Sequence, residues 1–339
     1  MKTSTETALG GLFHTWCDEM PETIETLPPT ASKRTYYRLK SKNNTAIGVH
    51  NPNFKENRAF ISMTHFFRNE RICVPEVYLC DQDNDIYLLE DLGDRTLFSF
   101  ILDHSNHSVN SFELKEALRE ALKELARIQV MGGKKMDFSI CHPYKRFSQD
   151  SILWDLNYFR EQFLHQMGIG YHPEKLREDF QQFADFIMQA DNDYLMYRDF
   201  QSRNIMLHQN KLYFIDYQGF RKGPLQYDVA SFLFQARAKL PEELREEMLD
   251  YYMGIAEMYT PVNRQEFIRY YYPVALVRVL QTLGAYGLRG LKEGRQHFIK
   301  SIPLALENLR LLQEKNELLN DLPELGRIIK ELSLIKKVQ

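Results

Sequence analysis

One short segment constrains this chain more than any other: two apolar runs, Ile205-Met206-Leu207-His208 and Lys211-Leu212-Tyr213-Phe214-Ile215, joined by the polar pair Gln209-Asn210. Around it the second half of the sequence carries long helical patterns. The two runs read as short strands closed by a polar turn, a β-hairpin set in an otherwise helical half. A hairpin brings its outer ends together. Those ends are Asn204 and Asp216, and Asp199 lies five positions ahead of Asn204.

A lone Asp is usually a cap, a turn residue or a solvated charge. Two oxygen-bearing side chains at the ends of one hairpin, with a carboxylate just before them, form a constellation instead. Phosphoryl transfer needs a carboxylate to orient an attacking hydroxyl and oxygen ligands to hold magnesium against nucleotide phosphates. Asp199, Asn204 and Asp216 supply these in that order.

The chain of 339 residues is long enough for two lobes. A hydrophobic share of 44% and a charged share of 26% are ordinary for a soluble globular protein. The net charge of -3 gives no footprint for nucleic acid or an anionic membrane, so neither is expected as a partner. Cys17, Cys73, Cys80 and Cys141 show no Cys-x-x-Cys spacing, which predicts reduced thiols in a cytoplasmic protein. With no apolar run of spanning length, a soluble chain is expected.

Along the chain, a short helix near Ala8 to Asp18 and the break at Pro28-Pro29 precede strands at Thr35 to Leu39 and Thr45 to Val49. A helix from about Phe54 to Phe67 follows, with Phe60, Met63, Phe66 and Phe67 on one face. Strands at Val77 to Leu79 and Ile86 to Leu89 complete a small sheet, and Asp91-Leu92-Gly93-Asp94 makes a compact linker. Helical patterns then span Phe112 to Met131, Ser148 to Met167, Pro173 to Ala190, Leu225 to Lys239, Glu242 to Tyr259 and Arg264 to Arg289, the last expected to kink at Pro273. The pattern predicts an α+β architecture: residues 1–94 as an N-terminal antiparallel sheet lobe with the linker, and 95–339 as a larger helical lobe carrying the catalytic segment. In Leu322 to Val338, Leu325, Ile328, Ile329, Leu332 and Ile335 form a helix face expected to dock on its own lobe.

These residues resemble the aminoglycoside-phosphotransferase/choline-kinase-like branch of the protein-kinase fold. Within it, they resemble the bacterial cell-wall-recycling kinases that phosphorylate N-acetylmuramate and N-acetylglucosamine at the anomeric position. The likeness rests on Ser32-Lys33-Arg34-Thr35-Tyr36-Tyr37-Arg38-Leu39, Leu88-Leu89-Glu90-Asp91-Leu92-Gly93, Tyr197-Arg198-Asp199 through Asn204, Ile215-Asp216-Tyr217-Gln218, Gly223-Pro224 and Tyr227-Asp228. It implies a two-lobed kinase-like fold that uses ATP and Mg2+. It further implies Asp199 as the hydroxyl-orienting group, Asn204 and Asp216 as magnesium ligands, and Asp228 as a brace of the catalytic loop. Ser32, Lys33 and Arg34 would cover the phosphates, with Glu90 to Leu92 as the hinge reading the adenine.

Two departures from the wider kinase pattern stand out. The first lobe has no Gly-x-Gly-x-x-Gly, and the strand Thr45 to Val49 has no lysine to pair with the phosphates, His50 standing near the expected place. Glu56, at the start of the next helix, could pair with a cation, with a solvated helix N-terminal charge as the expected reading. Tyr197 replaces the usual histidine at a packing position. The short stretch from Asp216 to Asp228, with no Ala-Pro-Glu after it, disfavours a protein substrate. For a small-molecule pocket the candidates are Trp154, Asp155, Tyr158, Arg203, Arg278, Gln281 and Tyr286: carboxylates and amides to grip a sugar, an aromatic face beneath its ring, an arginine for a muramic carboxylate. The expected function is an ATP- and Mg2+-dependent amino-sugar kinase. Phosphorylation of an aminoglycoside, choline or a similar amine remains open, as does a non-catalytic nucleotide-binding pseudokinase.

Overall fold

The computed structural model describes residues 3–28, 34–105 and 111–335, and the chain divides into two compact units. The first comprises Met1–Ser99, Met136–Lys145 and Arg203–Phe220; the second comprises Phe100–Lys135, Arg146–Ser202 and Arg221–Gln339. A division at residue 94 does not describe these units. Hydrogen bonds explain the difference: Leu207 N–H donates to the Arg95 carbonyl at 2.8 Å and Phe214 N–H to the Cys73 carbonyl at 2.9 Å. Those bonds tie the hairpin to the sheet-bearing unit.

In the first unit, helix α1 (Ser4–Cys17) begins earlier than its apolar pattern suggests, because Thr3 and Glu6 form a reciprocal capping box. Strands β1 (Thr23–Thr26), β2 (Thr35–Lys40) and β3 (Thr45–His50), helix α2 (Phe54–Asn69), and strands β4 (Val77–Asp81) and β5 (Ile86–Glu90) follow. The five strands form one antiparallel sheet in the order β1-β2-β3-β5-β4. One face packs on α1, where Leu9 and Phe13 meet Tyr37, Leu39, Ala46, Ile86 and Leu88. Gly48 makes that approach possible: a Cβ there would lie 2.8 Å from Leu39 and 2.9 Å from Leu9.

α2 is capped by Asn53 and buries Phe60, Met63, Thr64 and Phe67. The Phe60 ring stacks on Tyr217 with centroids 5.0 Å apart, and the Thr64 and Tyr217 hydroxyls share a hydrogen bond. The expected hairpin forms, with strands Ile205–His208 and Lys211–Phe214 in register. Gln209 and Asn210 both take positive φ, 48° and 58°, which a two-residue hairpin turn of this hand requires.

The second unit is built of helices, among them Phe112–Arg127, Gln149–Phe159, Pro173–Ile187, Leu225–Leu233, Glu242–Glu257, Arg264–Tyr286, Ile302–Lys315 and Pro323–Ser333. Every residue of Leu225–Leu233 is buried, so this helix forms the core about which the others pack. Arg264–Tyr286 runs on through Pro273 for 23 residues. A two-stranded ribbon pairs Tyr194–Met196 with Arg221–Gly223. The C-terminal helix Pro323–Ser333 docks on its own unit through Leu325, Ile328, Ile329 and Leu332, all buried. The Asp179 carboxylate accepts from the N–H groups of Glu324 and Leu325 at 2.8 and 2.7 Å, capping that helix. Among the described residues no helix is long and apolar enough to cross a membrane.

Candidate active site

The hairpin fixes the first group of site residues. Ile215 N–H donates to the Asn204 carbonyl at 3.0 Å, and the Asn204 Nδ2 lies 3.4 Å from the Asp216 Oδ2. Asp216 adopts a left-handed φ of 63°, a conformation Asp tolerates better than most residues. Tyr217, immediately after it, is buried and locked to α2, and the Gln218 Nε2 donates to the Asp216 Oδ1 at 2.7 Å. The segment therefore holds the Asp216 carboxylate, 42% accessible, in a set orientation. The Asp216 carboxylate and the side-chain carbonyl of Asn204 are the hard oxygen donors this segment offers, the kind a magnesium ion that keeps several of its waters would take. The Arg34 Nη1 stands 4.0 Å from the Asp216 Oδ1.

Asp199 belongs to the second unit, the boundary falling between Ser202 and Arg203. The turn ahead of it is pinned from behind by Asp228. Oδ2 of Asp228 accepts from Tyr197 N–H at 2.6 Å, and Oδ1 from Arg198 N–H at 2.8 Å. Arg198 takes φ 78°, so these bonds hold a backbone conformation that an ordinary side chain disfavours. Gln129 donates to the same carboxylate at 3.0 Å and accepts from the Tyr252 hydroxyl. Asp228 thus does not cap its own helix; its oxygens belong to the Tyr197-Arg198 turn. Burial pushes its carboxyl up to about 7, against the pull of those backbone and Gln129 hydrogen bonds. On the far side of Asp199, Gln235 accepts from both the N–H and the hydroxyl of Ser202 at 2.7 and 2.6 Å. Tyr197 is buried in edge contact with Phe200, as a packing residue should be.

The Asp199 side chain is 45% accessible and lies 3.5 Å from the Arg278 Nη2. Arg278 also donates to the Ser231 hydroxyl at 3.1 Å, to the Thr282 hydroxyl at 2.9 Å and to Gln281. Its guanidinium, 8% accessible, is committed to the protein and to Asp199, which corrects its reading as an open substrate-binding arginine. Asp155 is corrected for the same reason. It is fully buried and ion-paired to Arg198 at 2.9 Å, so its carboxylate serves the turn and not a substrate.

Trp154 is 58% exposed and stacks on Tyr158, centroids 5.1 Å apart and planes 9° from parallel. That pair is an open aromatic surface. Arg203 is exposed. Ser32 and Lys33 lie outside the described residues, whereas Arg34 is buried against Glu56 at 2.7 Å. Glu56 is therefore an ion-paired group and not the solvated charge expected at a helix start. The Glu90 carboxylate accepts from Glu76 N–H at 3.2 Å while the Glu90 N–H donates to the Glu76 carbonyl at 2.9 Å, and the Leu92 carbonyl meets the His208 Nδ1 at 3.2 Å. Gln129 and Gln235, which fix the two ends of the Asp199 loop, were not anticipated; neither has a distinguishing neighbour in sequence.

A model of the phosphotransferase enzyme family matches residues 23–262. The chain is 26% identical over 252 residues to the N-acetylmuramate/N-acetylglucosamine kinase of Neisseria meningitidis serogroup B, covering 73% of this chain and 72% of the relative. It is 22% identical over 324 residues to the enzyme of that name from Pseudomonas aeruginosa, covering 91% of each. Among solved structures, an ADP-bound aminoglycoside phosphotransferase superposes with a TM-score of 0.59 at 15% identity, covering 99% of this chain and 100% of that one. The fold is the α+β, two-lobed, protein-kinase-like one.

Proposed function

The chain belongs to the phosphotransferase enzyme family, and on that premise we propose that it is an ATP- and Mg2+-dependent kinase of N-acetylmuramate or N-acetylglucosamine, acting at the anomeric hydroxyl. The observation that carries the reading is the pair Asn204 and Asp216, 3.4 Å apart at the ends of the hairpin, with Asp199 five residues earlier on a turn pinned by Asp228. The relatives named as amino-sugar kinases supply the substrate class.

In this proposal Asn204 and Asp216 hold the magnesium ion, which when bound neutralises charge on the nucleotide phosphates. Asp199 accepts a hydrogen bond from the anomeric hydroxyl and aims its oxygen at the γ-phosphorus. The new bond joins that oxygen to phosphorus, the bond to the β-phosphate oxygen breaks, ADP departs, and the hydroxyl proton passes through Asp199 to solvent. An anomeric hydroxyl is more acidic than an ordinary alcohol, so orientation is the larger part of the work of Asp199. Arg278 keeps the Asp199 side chain in place. The Trp154–Tyr158 surface offers a face for the sugar ring, and the exposed Arg203 a partner for the lactyl carboxylate of a muramic acid.

Cationic acceptors such as choline or an aminoglycoside call for free carboxylates, and two acidic candidates of the helical unit are already engaged. Asp155 is spent on Arg198, and Asp179 on the C-terminal helix. An ATP-consuming enzyme of this kind works in the cytoplasm. The test is incubation with ATP, Mg2+ and a panel of N-acetylmuramate, N-acetylglucosamine, choline, homoserine and an aminoglycoside, followed by mass and phosphorus spectroscopy. A sugar 1-phosphate is the expected product; transfer to an amine alone overturns the assignment.

A further inference from the structure

The helical unit carries, besides the Asp199 loop, a groove of about 650 Å3 whose charged lining is all of one sign. We propose that this groove binds a small phosphomonoester, a sugar-sized body bearing one phosphate. The inference goes beyond the kinase reading and does not depend on which acceptor the chain phosphorylates.

One wall is the short turn Ala236–Ala238 with Lys239, the residue that ends it. Ala236 and Ala238 are buried, so the alternate residues Arg237 and Lys239 stand outward. Lys239 takes a left-handed φ of 48°, a conformation that glycine or asparagine adopts at less cost. The other wall runs from Gln296–Ile299 into Ile302–Lys315 and supplies His297, Lys300 and Ser301. Its backbone is fixed: Lys300 N–H donates to the Gln296 carbonyl at 3.0 Å and Ala305 N–H to the Ser301 carbonyl at 3.1 Å. The Ser301 hydroxyl donates to the His297 carbonyl at 2.7 Å, so its oxygen faces a ligand as an acceptor.

Elsewhere in this unit surface cations rest on carboxylates, as Lys115 does on Glu247 and Lys315 on Glu246. Lys239 and Lys300 form no ion pair among the described residues, and no Asp or Glu is among those lining the groove. With Arg237 they gather positive charge on a chain whose net charge is -3. A cleft of one sign concentrates ions of the other. A phosphate monoester, with about two negative charges at pH 7, answers that charge better than a carboxylate does. The volume suits a ligand body and not a bare ion. Gln296 and Ser301 offer partners for sugar hydroxyls, and Leu102 and Leu304 a short apolar face. No Phe, Tyr or Trp among the described lining residues offers a base a surface to stack on, which favours a sugar phosphate over a nucleotide.

Solvated cations with no ligand of their own are the competing explanation, and they attract all small anions alike. Lysine acylation of the full-length protein, read by peptide mass spectrometry at constant ionic strength, separates the two. The probes are N-acetylglucosamine 1-phosphate, N-acetylglucosamine, inorganic phosphate, sulfate and AMP. The sugar phosphate should slow acylation of Lys239 and Lys300 at least about fivefold, with the exposed Lys175 and Lys330 unchanged and the uncharged sugar without effect. Calorimetric titration should show Lys239→Gln/Lys300→Gln binding the sugar phosphate about tenfold or more weakly than the unaltered chain. Absence of protection, equal protection by sulfate and the sugar phosphate, or unchanged affinity in the variant overturns the inference. Stronger protection by inorganic phosphate or AMP than by the sugar phosphate overturns it as well. The protection measurement needs no substitution, so it decides even if the variant fails to fold.

Discussion

Replacing Asp228 with asparagine probes how the turn before Asp199 is held. The aspartate offers two acceptor oxygens to three buried donors: Tyr197 N–H and Gln129 Nε2 at one, Arg198 N–H at the other. Asparagine offers one. Whichever way its amide is turned, at least one buried N–H faces an NH2 group, at a cost of about 1–3 kcal/mol. The left-handed Arg198 then loses part of what holds it in place. The effect also has a pH signature. Burial raises Asp228 from the ordinary 3.8 to about 7, so the folded chain binds a proton there more tightly than the unfolded one. Stability from this group is full below about pH 4 and is lost as pH rises through 7. Asparagine lacks that slope. Urea unfolding of both proteins from pH 4.5 to 8 should therefore show the variant less stable at the acid end, with the gap narrowing toward pH 8. Equal stability at pH 5, or a gap that widens with pH, would refute the reasoning.

Three further substitutions have outcomes set by single contacts. At Gly287 a Cβ would lie 1.9 Å from the Gln162 carbonyl oxygen, a backbone atom that cannot step aside, so Gly287→Ala should cost at least about 3 kcal/mol in denaturant unfolding. Asp155→Asn leaves the Arg198 charge without its carboxylate and should cost about 3–5 kcal/mol, read as a lowered Tm. Asp179→Ala uncaps the C-terminal helix, for about 1–2 kcal/mol, with amide exchange faster in residues 323–333 than elsewhere.

What could be read in the residues and what could not divide along the range of the interactions. The hairpin was legible because its alternation and polar turn are local, and Asn204 and Asp216 follow from its ends. The docked face of the last helix was legible for the same reason: its apolar residues recur at helical spacing. Strand Thr23–Thr26 was not, since it is a four-residue edge strand, mostly exposed and without a hydrophobic run. Arg34 with Glu56 and Arg198 with Asp155 were missed as pairs because 22 and 43 positions separate the partners. Nothing in either residue's neighbourhood names the other. That blindness turned Asp155 into a substrate candidate and left the cation that pairs with Glu56 unnamed. The grouping of residues 203–220 with the sheet unit likewise depends on backbone bonds to Cys73 and Arg95, far away in sequence.

The most direct measurement compares turnover of Asp199→Asn and the unaltered protein on N-acetylmuramate at saturating Mg·ATP, with nucleotide affinity followed in parallel. Asparagine keeps the shape and the Arg278 neighbourhood but gives up the proton-accepting carboxylate. Turnover should fall by roughly 10²- to 10⁴-fold while ATP affinity stays within about threefold. Full turnover by Asp199→Asn would contradict the role given to Asp199.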